Sequence, residues 1–163
     1  MVAYSPLAWH ELFVGSVGAS AALAGLLFVT ISMNLEHILK YRQLPGRAGA
    51  TLGVLICVLV VSSFGLAPGQ STTVLGIEIA AAGAAVVTQV LWVSFANYLK
   101  TNPLAWTVKP ISQLCPPGLA FVAGGLSLVV GGGGGLYWVL AAIVLAFITT
   151  SISAWVLLVE ILR

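Results

Sequence analysis

The stretch Trp9–Leu35, WHELFVGSVGASAALAGLLFVTISMNL, followed at once by Glu36–Arg47, EHILKYRQLPGR, decides what kind of chain this is. A long apolar run with a single charge, Glu11, near its start gives way to a segment that holds three cations, Lys40, Arg42 and Arg47. A hydrocarbon core of about 30 Å asks for about 20 apolar residues in a helix, and the run supplies them. The pattern then repeats, with apolar runs over about 48–67, 73–97, 115–130 and 136–162. The whole chain is 60% hydrophobic and 6% charged, with a mean hydropathy of +1.12. These features predict an all-α integral membrane bundle of five transmembrane helices, forming a single domain over residues 1–163.

The fourth run is the shortest. From Pro117 to Val130 it would reach only about 21 Å at 1.5 Å per residue. It is therefore expected either to begin earlier, near Ser112, or to draw on the glycines that follow it.

Orientation follows from the cations. The first gap holds Lys40, Arg42 and Arg47, the third holds Lys100 and Lys109, and Arg163 ends the chain, while Pro68–Thr72 and Gly131–Gly135 hold no charge. The positive-inside rule then puts the N-terminus outside and the C-terminus in the cytoplasm. The first run is not expected to be a cleaved signal peptide, because Met1–Ala8 has no basic residue and the run is too long for an h-region. Ser5-Pro6 suits a cap followed by proline at the first helical position. Pro45-Gly46 and Pro68-Gly69 read as turns, and Pro116-Pro117 as the opening of the fourth helix. The first helix is expected to run on to about Gln43, with Glu36 and Lys40 as an i,i+4 pair. The longest loop, about Tyr98 to Leu114, carries Pro103, Trp106, Pro110 and two lysines, and reads as a segment at headgroup level.

Several classes are excluded or disfavoured. Little chain lies outside the spans, so no soluble catalytic domain is expected. Six scattered basic residues make no nucleic-acid patch. Cys57 and Cys115 lie at different depths and match no metal or redox spacing. There is no Asp, no HExxH, no GxSxG and no phosphate-binding glycine loop, and the two histidines, His10 and His37, fall on opposite sides of the membrane. The chain is not expected to be an enzyme, to carry a cofactor or to hold a metal.

The finer information lies in which helix faces are small or polar. At about 100° per residue, Glu11, Gly18, Ala22, Gly25, Ser32 and Glu36 share one face of the first helix. Such a stripe reads first as a helix-packing seam, within the chain or across a symmetry axis, because small residues let backbones approach closely in a membrane. Its second reading is a pore-lining face with Glu11 and Glu36 at the mouths. In the third run Glu78, Ala82, Ala85, Gln89 and Ala96 align. A carboxylate within a span is costly unless paired, protonated or wet. Glu78 and Gln89 therefore read either as a satisfied polar pair between helices or as a proton or cation pathway. His10 and Glu11, with Glu78, form a conceivable cation or proton site. In the fifth run Ala142, Ala146, Thr149, Ser153 and Glu160 share a face, and Asn34, Glu36 and Glu160 gather as polar groups at the inner mouth.

The residues 18–29 (GASAALAGLLFV), Ser32, Asn34-Leu35, Leu44–Ala48 (LPGRA), Pro68–Gln70, Gly76–Glu78 and the closing Ala154–Arg163 (AWVLLVEILR) carry a resemblance. Through them the chain resembles a family of small, largely uncharacterised bacterial multi-span membrane proteins, some of which bear the label of membrane-protease modulators. The resemblance covers most of the chain and implies a bacterial inner-membrane location, with no functional residues to carry over.

The expectation is thus a homo-oligomer in the lipid bilayer that acts as a small cation or proton channel. Glu78, Gln89, Glu11 and His10 are its candidate pathway residues, and Gly18, Ala22, Gly25 and Ser32 its packing seam. The alternative is a non-conducting accessory subunit of another membrane protein. A third reading is a lipid or hydrophobic-ligand binder, with Trp92, Trp138 and Trp155 shaping an apolar cleft.

Overall fold

The structure, a computed structural model, describes residues 2–40, 44–101 and 104–162; of residues 2, 37, 97–101, 104–110 and 157–162 it describes the backbone alone. Among the described residues every element is helical. Two short 3-10 turns, Val2–Tyr4 and Pro6–Trp9, lead into α1 (His10–Met33), α2 (Leu35–Lys40), α3 (Leu44–Gly65), α4 (Thr72–Thr101), α5 (Leu104–Val130) and α6 (Leu136–Leu162). Among the described residues five segments are long and apolar enough to cross a membrane: Pro6–Met33, Leu44–Gly65, Thr72–Ala96, Ile111–Val130 and Leu136–Val156. The exterior is apolar to match, with Leu26 and Phe28 on α1, Trp92 and Phe95 on α4, Leu119 on α5 and Ile152 on α6 all exposed. An apolar surface of that extent is the mark of a membrane protein.

Several boundaries differ from the sequence reading. The fourth run does begin earlier, as one of the two expectations had it: its helix, α5, starts at Leu104, and the 20 residues from Ile111 to Val130 alone reach about 30 Å. Pro116-Pro117 does not open a helix but lies inside α5. Membrane helices tolerate such prolines because neighbouring helices re-satisfy the freed carbonyls. Here Leu114, Cys115 and Pro117 are buried by those neighbours. Pro45-Gly46 is likewise no turn but the first turn of α3, where a proline costs no hydrogen bond. Pro6 does open a helix, yet a 3-10 turn, and the Ser5 side chain makes no capping bond. Pro68-Gly69 is a turn, with Gly69 at φ 72°. The supposed 98–114 loop is largely helical backbone shared by α4 and α5, and the side chains of Trp106, Lys100 and Lys109 lie outside the described residues.

The first helix does not run unbroken to Gln43. Asn34 interrupts it: its backbone N–H is shared between Thr30 O and Ile31 O, both at 3.3 Å, and its Nδ2 donates to Thr30 O at 3.0 Å. An asparagine amide competes in this way with the helical ladder. α2 then starts afresh, with Ile38 N–H bonded to Asn34 O at 3.0 Å, and its Ile38 packs with Leu44, Ala48 and Ile31. Glu36 and Lys40 are exposed on α2, and residues 41–43 lie outside the described residues.

The tightest pair is α4 against α5, which run antiparallel. A Cβ at Gly83 would sit 2.7 Å from Gly118 O, and one at Gly76 would sit 2.7 Å from Gly125 O. Two glycines seven residues apart on each helix thus let the backbones touch. α6 folds back on α5, and α3 packs against α4, α6 and α1. The core joins Val54, Val58 and Val61 of α3 with Leu75 and Ile79 of α4, Phe121 of α5, Val139 and Ile143 of α6, and Phe13 of α1. Phe13 packs against Gly65, where a Cβ would meet its ring at 2.6 Å.

Gly131–Gly135 forms the α5–α6 turn as expected. Gly131, at φ 72°, ends α5 with its N–H on Ser127 O at 3.0 Å, a left-handed cap that glycine adopts without strain. The N-terminus is pinned to this turn. Gly134 N–H donates to the Tyr4 hydroxyl at 3.2 Å, a Cβ at Gly135 would lie 2.9 Å from the Tyr4 ring, and Trp9 meets Tyr137 edge to face at 4.9 Å.

Candidate functional site

On α1 the buried side chains are Phe13, Ser16, Ser20 and Leu27, which face α3. At about 100° per residue they lie on the opposite side from Glu11, Gly18, Ala22, Gly25 and Ser32, while Glu36 lies past the break at Asn34, on α2. All six are exposed, and a Cβ at Gly15, Gly18 or Gly25 would meet nothing within 4 Å. The stripe is therefore not a seam within the chain. Ser32 Oγ is satisfied by Phe28 O at 2.9 Å, so the stripe presents glycine and alanine backbone between two carboxylates.

α6 behaves in the contrary way. Ala142, Ala146 and Ser153 are fully buried and Thr149 is half-buried, so this small-residue face is the packing face. Thr149 and Thr150 bond back to Ala146 O, whereas the buried Ser153 hydroxyl has no partner. The side chain of Glu160 lies outside the described residues.

Glu78 and Gln89 both turn toward α3 and its link to α4. Glu78, half-buried, accepts a hydrogen bond from Gln70 Nε2 in that link, while the buried Gln70 Oε1 has no partner. Gln89, exposed on its outer side, donates from Nε2 to Gly49 O at 3.3 Å across the α3–α4 groove. Its carboxamide fills the space left by Gly53, where a Cβ would come within 2.8 Å of Gln89 Cδ. The two groups are thus not brought together, and each closes a contact to a neighbouring element.

His10 and Glu11 are exposed at the start of α1. Among the described residues no three His, Cys, Asp or Glu side chains come close enough to share a metal ion, so His10, Glu11 and Glu78 are not grouped as metal ligands. Asn34 is occupied in breaking the helix, and Glu36 stands free on α2. Cys57 and Cys115 are both buried free thiols.

Two features escaped the sequence reading. Arg47, read only as a topology charge, is half-buried and donates from Nη2 to Gln113 Oε1 of α5 at 3.1 Å, with its Nε buried and unpartnered. The helical continuation of α5 upstream of Pro116 would have revealed the pairing. The other is a cleft of about 200 Å3 between α1 and α6, lined by leucines and isoleucines. No tryptophan lines it: Trp92 is exposed on α4, and Trp138 donates to Gly133 O at 2.9 Å in the α5–α6 turn. Comparison with protein families, with curated proteins and with solved structures finds no match for this chain.

Proposed function

We propose that the chain is a subunit of a homo-oligomeric membrane channel whose α1 helices meet around a symmetry axis and line a narrow cation or proton path. The observation that carries this reading is the exposed α1 face, which lies opposite the packing face and has no neighbour in the chain. Toward bulk lipid such a face would waste the close approach that glycine allows. Around an axis, the small residues would leave room for water, and Glu11 and Glu36 would form rings of negative charge at the two mouths, as cation pathways use. The reading places the cation-bearing ends, with Lys40 and Arg47, on the cytoplasmic side of a bacterial inner membrane. Glu78, Gln89 and His10 then flank the assembly.

One observation favours a second reading, a non-conducting accessory subunit. Glu78 and Gln89 make contacts inside the chain, and the α1 face would equally receive a helix of another membrane protein.

Flux into liposomes holding the purified protein separates the two, under imposed K⁺, Na⁺, H⁺ and Cl⁻ gradients. The channel reading expects cation or proton flux that Glu11→Gln and Glu36→Gln lower severalfold, with the oligomer intact and Cl⁻ flux absent. No flux above empty liposomes under any gradient or voltage would leave the accessory reading.

A further inference from the structure

We infer that Glu78 of α4 and Gln70 of the α3–α4 link form a proton-binding site, in which one proton completes a cyclic pair between a carboxylic acid and a primary amide. The site is independent of whether α1 lines a pore. Gln70 Nε2 donates to one carboxyl oxygen of Glu78, while Gln70 Oε1 is buried and has no partner. A carboxylate only accepts, so the ionised group satisfies the amide N–H and leaves the amide oxygen bare. A protonated carboxyl accepts and donates. It takes the N–H on its carbonyl oxygen and returns an O–H to Oε1, so that every polar atom of the pair is satisfied.

The neighbouring elements offer the carboxyl no other partner. Glu78 lies six residues into the span Thr72–Ala96, about 9 Å along the helix, where an ionised group is costly unless it is paired. Ser71 caps α4, taking Val74 N–H on its Oγ at 3.3 Å and Leu75 N–H on its carbonyl at 3.0 Å. The helices packed against α4 are α3 and α5. Gly76 against Gly125 and Gly83 against Gly118 set Glu78 level with residues 118–125 of α5, and Gln89 against Gly53 sets it level with the last turns of α3. Neither stretch holds a charged or titratable side chain. Those that the two helices do carry lie farther along, Arg47 and Cys57 on α3 and Cys115 beyond Gly118 on α5. The side chains of Lys100 and Lys109, at the other end of α4 and α5, lie outside the described residues. His10 and Glu11 of α1 are exposed and not grouped with Glu78. The hydroxyls near the end of α3 do not serve it either: Ser63 Oγ donates to Leu59 O at 2.8 Å, and Ser62 Oγ has no partner. Loss of the proton thus leaves a charge held by one neutral hydrogen bond beside a second bare acceptor. That repulsion falls on the link 66–71, so the proton closes the link and its release loosens it.

The test is difference infrared spectroscopy of the full chain in bilayers over a pH series, comparing wild type with Glu78→Gln and Gln70→Leu. A protonated-carboxyl band is expected that Glu78→Gln removes and that Gln70→Leu moves to the higher frequency of a carboxyl without a hydrogen bond. As that band is lost with rising pH, amide hydrogen exchange in residues 66–71 should quicken severalfold relative to Glu78→Gln at the same pH. Dicyclohexylcarbodiimide, which takes protonated carboxyls in apolar settings, should label Glu78 at least severalfold above the exposed Glu11 and Glu36, and less as pH rises. No band lost in Glu78→Gln, a band that Gln70→Leu leaves in place, equal exchange in the link, or labelling of Glu78 no greater than of Glu11 and Glu36 would each overturn the proposal. The labelling of the wild type needs no variant to fold.

Discussion

Gln89 and Gly53 act as one unit. The amide reaches Gly49 O only because Gly53 has no side chain in its way. Gly53→Ala should push the carboxamide aside and cost what an interhelical hydrogen bond in a membrane is worth, about 0.6 and at most about 1.7 kcal/mol. In a Gln89→Ala background the same change should be neutral, so a double-mutant cycle read by unfolding in mixed micelles should show coupling. Additive effects would contradict the contact. Glu78 has a comparable tie to Gln70. Glu78→Leu would leave the Gln70 amide without its one partner and should cost about 1–3 kcal/mol, whereas Glu78→Gln keeps an acceptor and should be nearly neutral to stability. Both residues were legible as polar groups that needed partners. Their actual partners were not, because Gly49, Gly53 and Gln70 carry no signal that names the helix they face.

At the scale of the element, the same small residues do opposite things. Gly76 and Gly83 of α4 are closed against Gly125 and Gly118 of α5, while the glycines of α1 stand open. Gly83→Ala would force a Cβ to 2.7 Å from Gly118 O, and separating two helices to relieve it should cost about 1–3 kcal/mol. Gly25→Leu meets nothing in the chain, so unfolding should change by less than about 0.5 kcal/mol. It should instead lower the assembled mass in sedimentation or light scattering. An unchanged mass with Gly25→Leu would remove the α1 face from the interface. Spacing alone did not tell these faces apart: a stripe on one helix shows that close approach is possible, and only the neighbours show whether it has been used.

For the whole molecule, the five spans and the glycine turn were readable because length, hydropathy and left-handed turn chemistry are properties of contiguous residues. One error fell where tertiary packing overrode local preference, at Pro116-Pro117 inside α5; at Pro45 a proline that suits the first turn of a helix was read as a turn between helices. The break at Asn34 was missed for the converse reason, since a single side-chain amide outweighed a long apolar pattern. The lateral cleft was invisible because it depends on where α1 is fastened at both ends. The claim on which the account turns is that the open α1 face meets its counterpart in another copy. The most direct measurement is oxidative cross-linking in membranes of Gly18→Cys and Ala22→Cys, with Trp92→Cys on the exposed side of α4 and the unmodified chain as controls, the native thiols being buried. The account predicts disulfide-linked dimers for the two α1 variants and none for the controls. Monomers throughout, or dimers through Trp92→Cys alone, would contradict it.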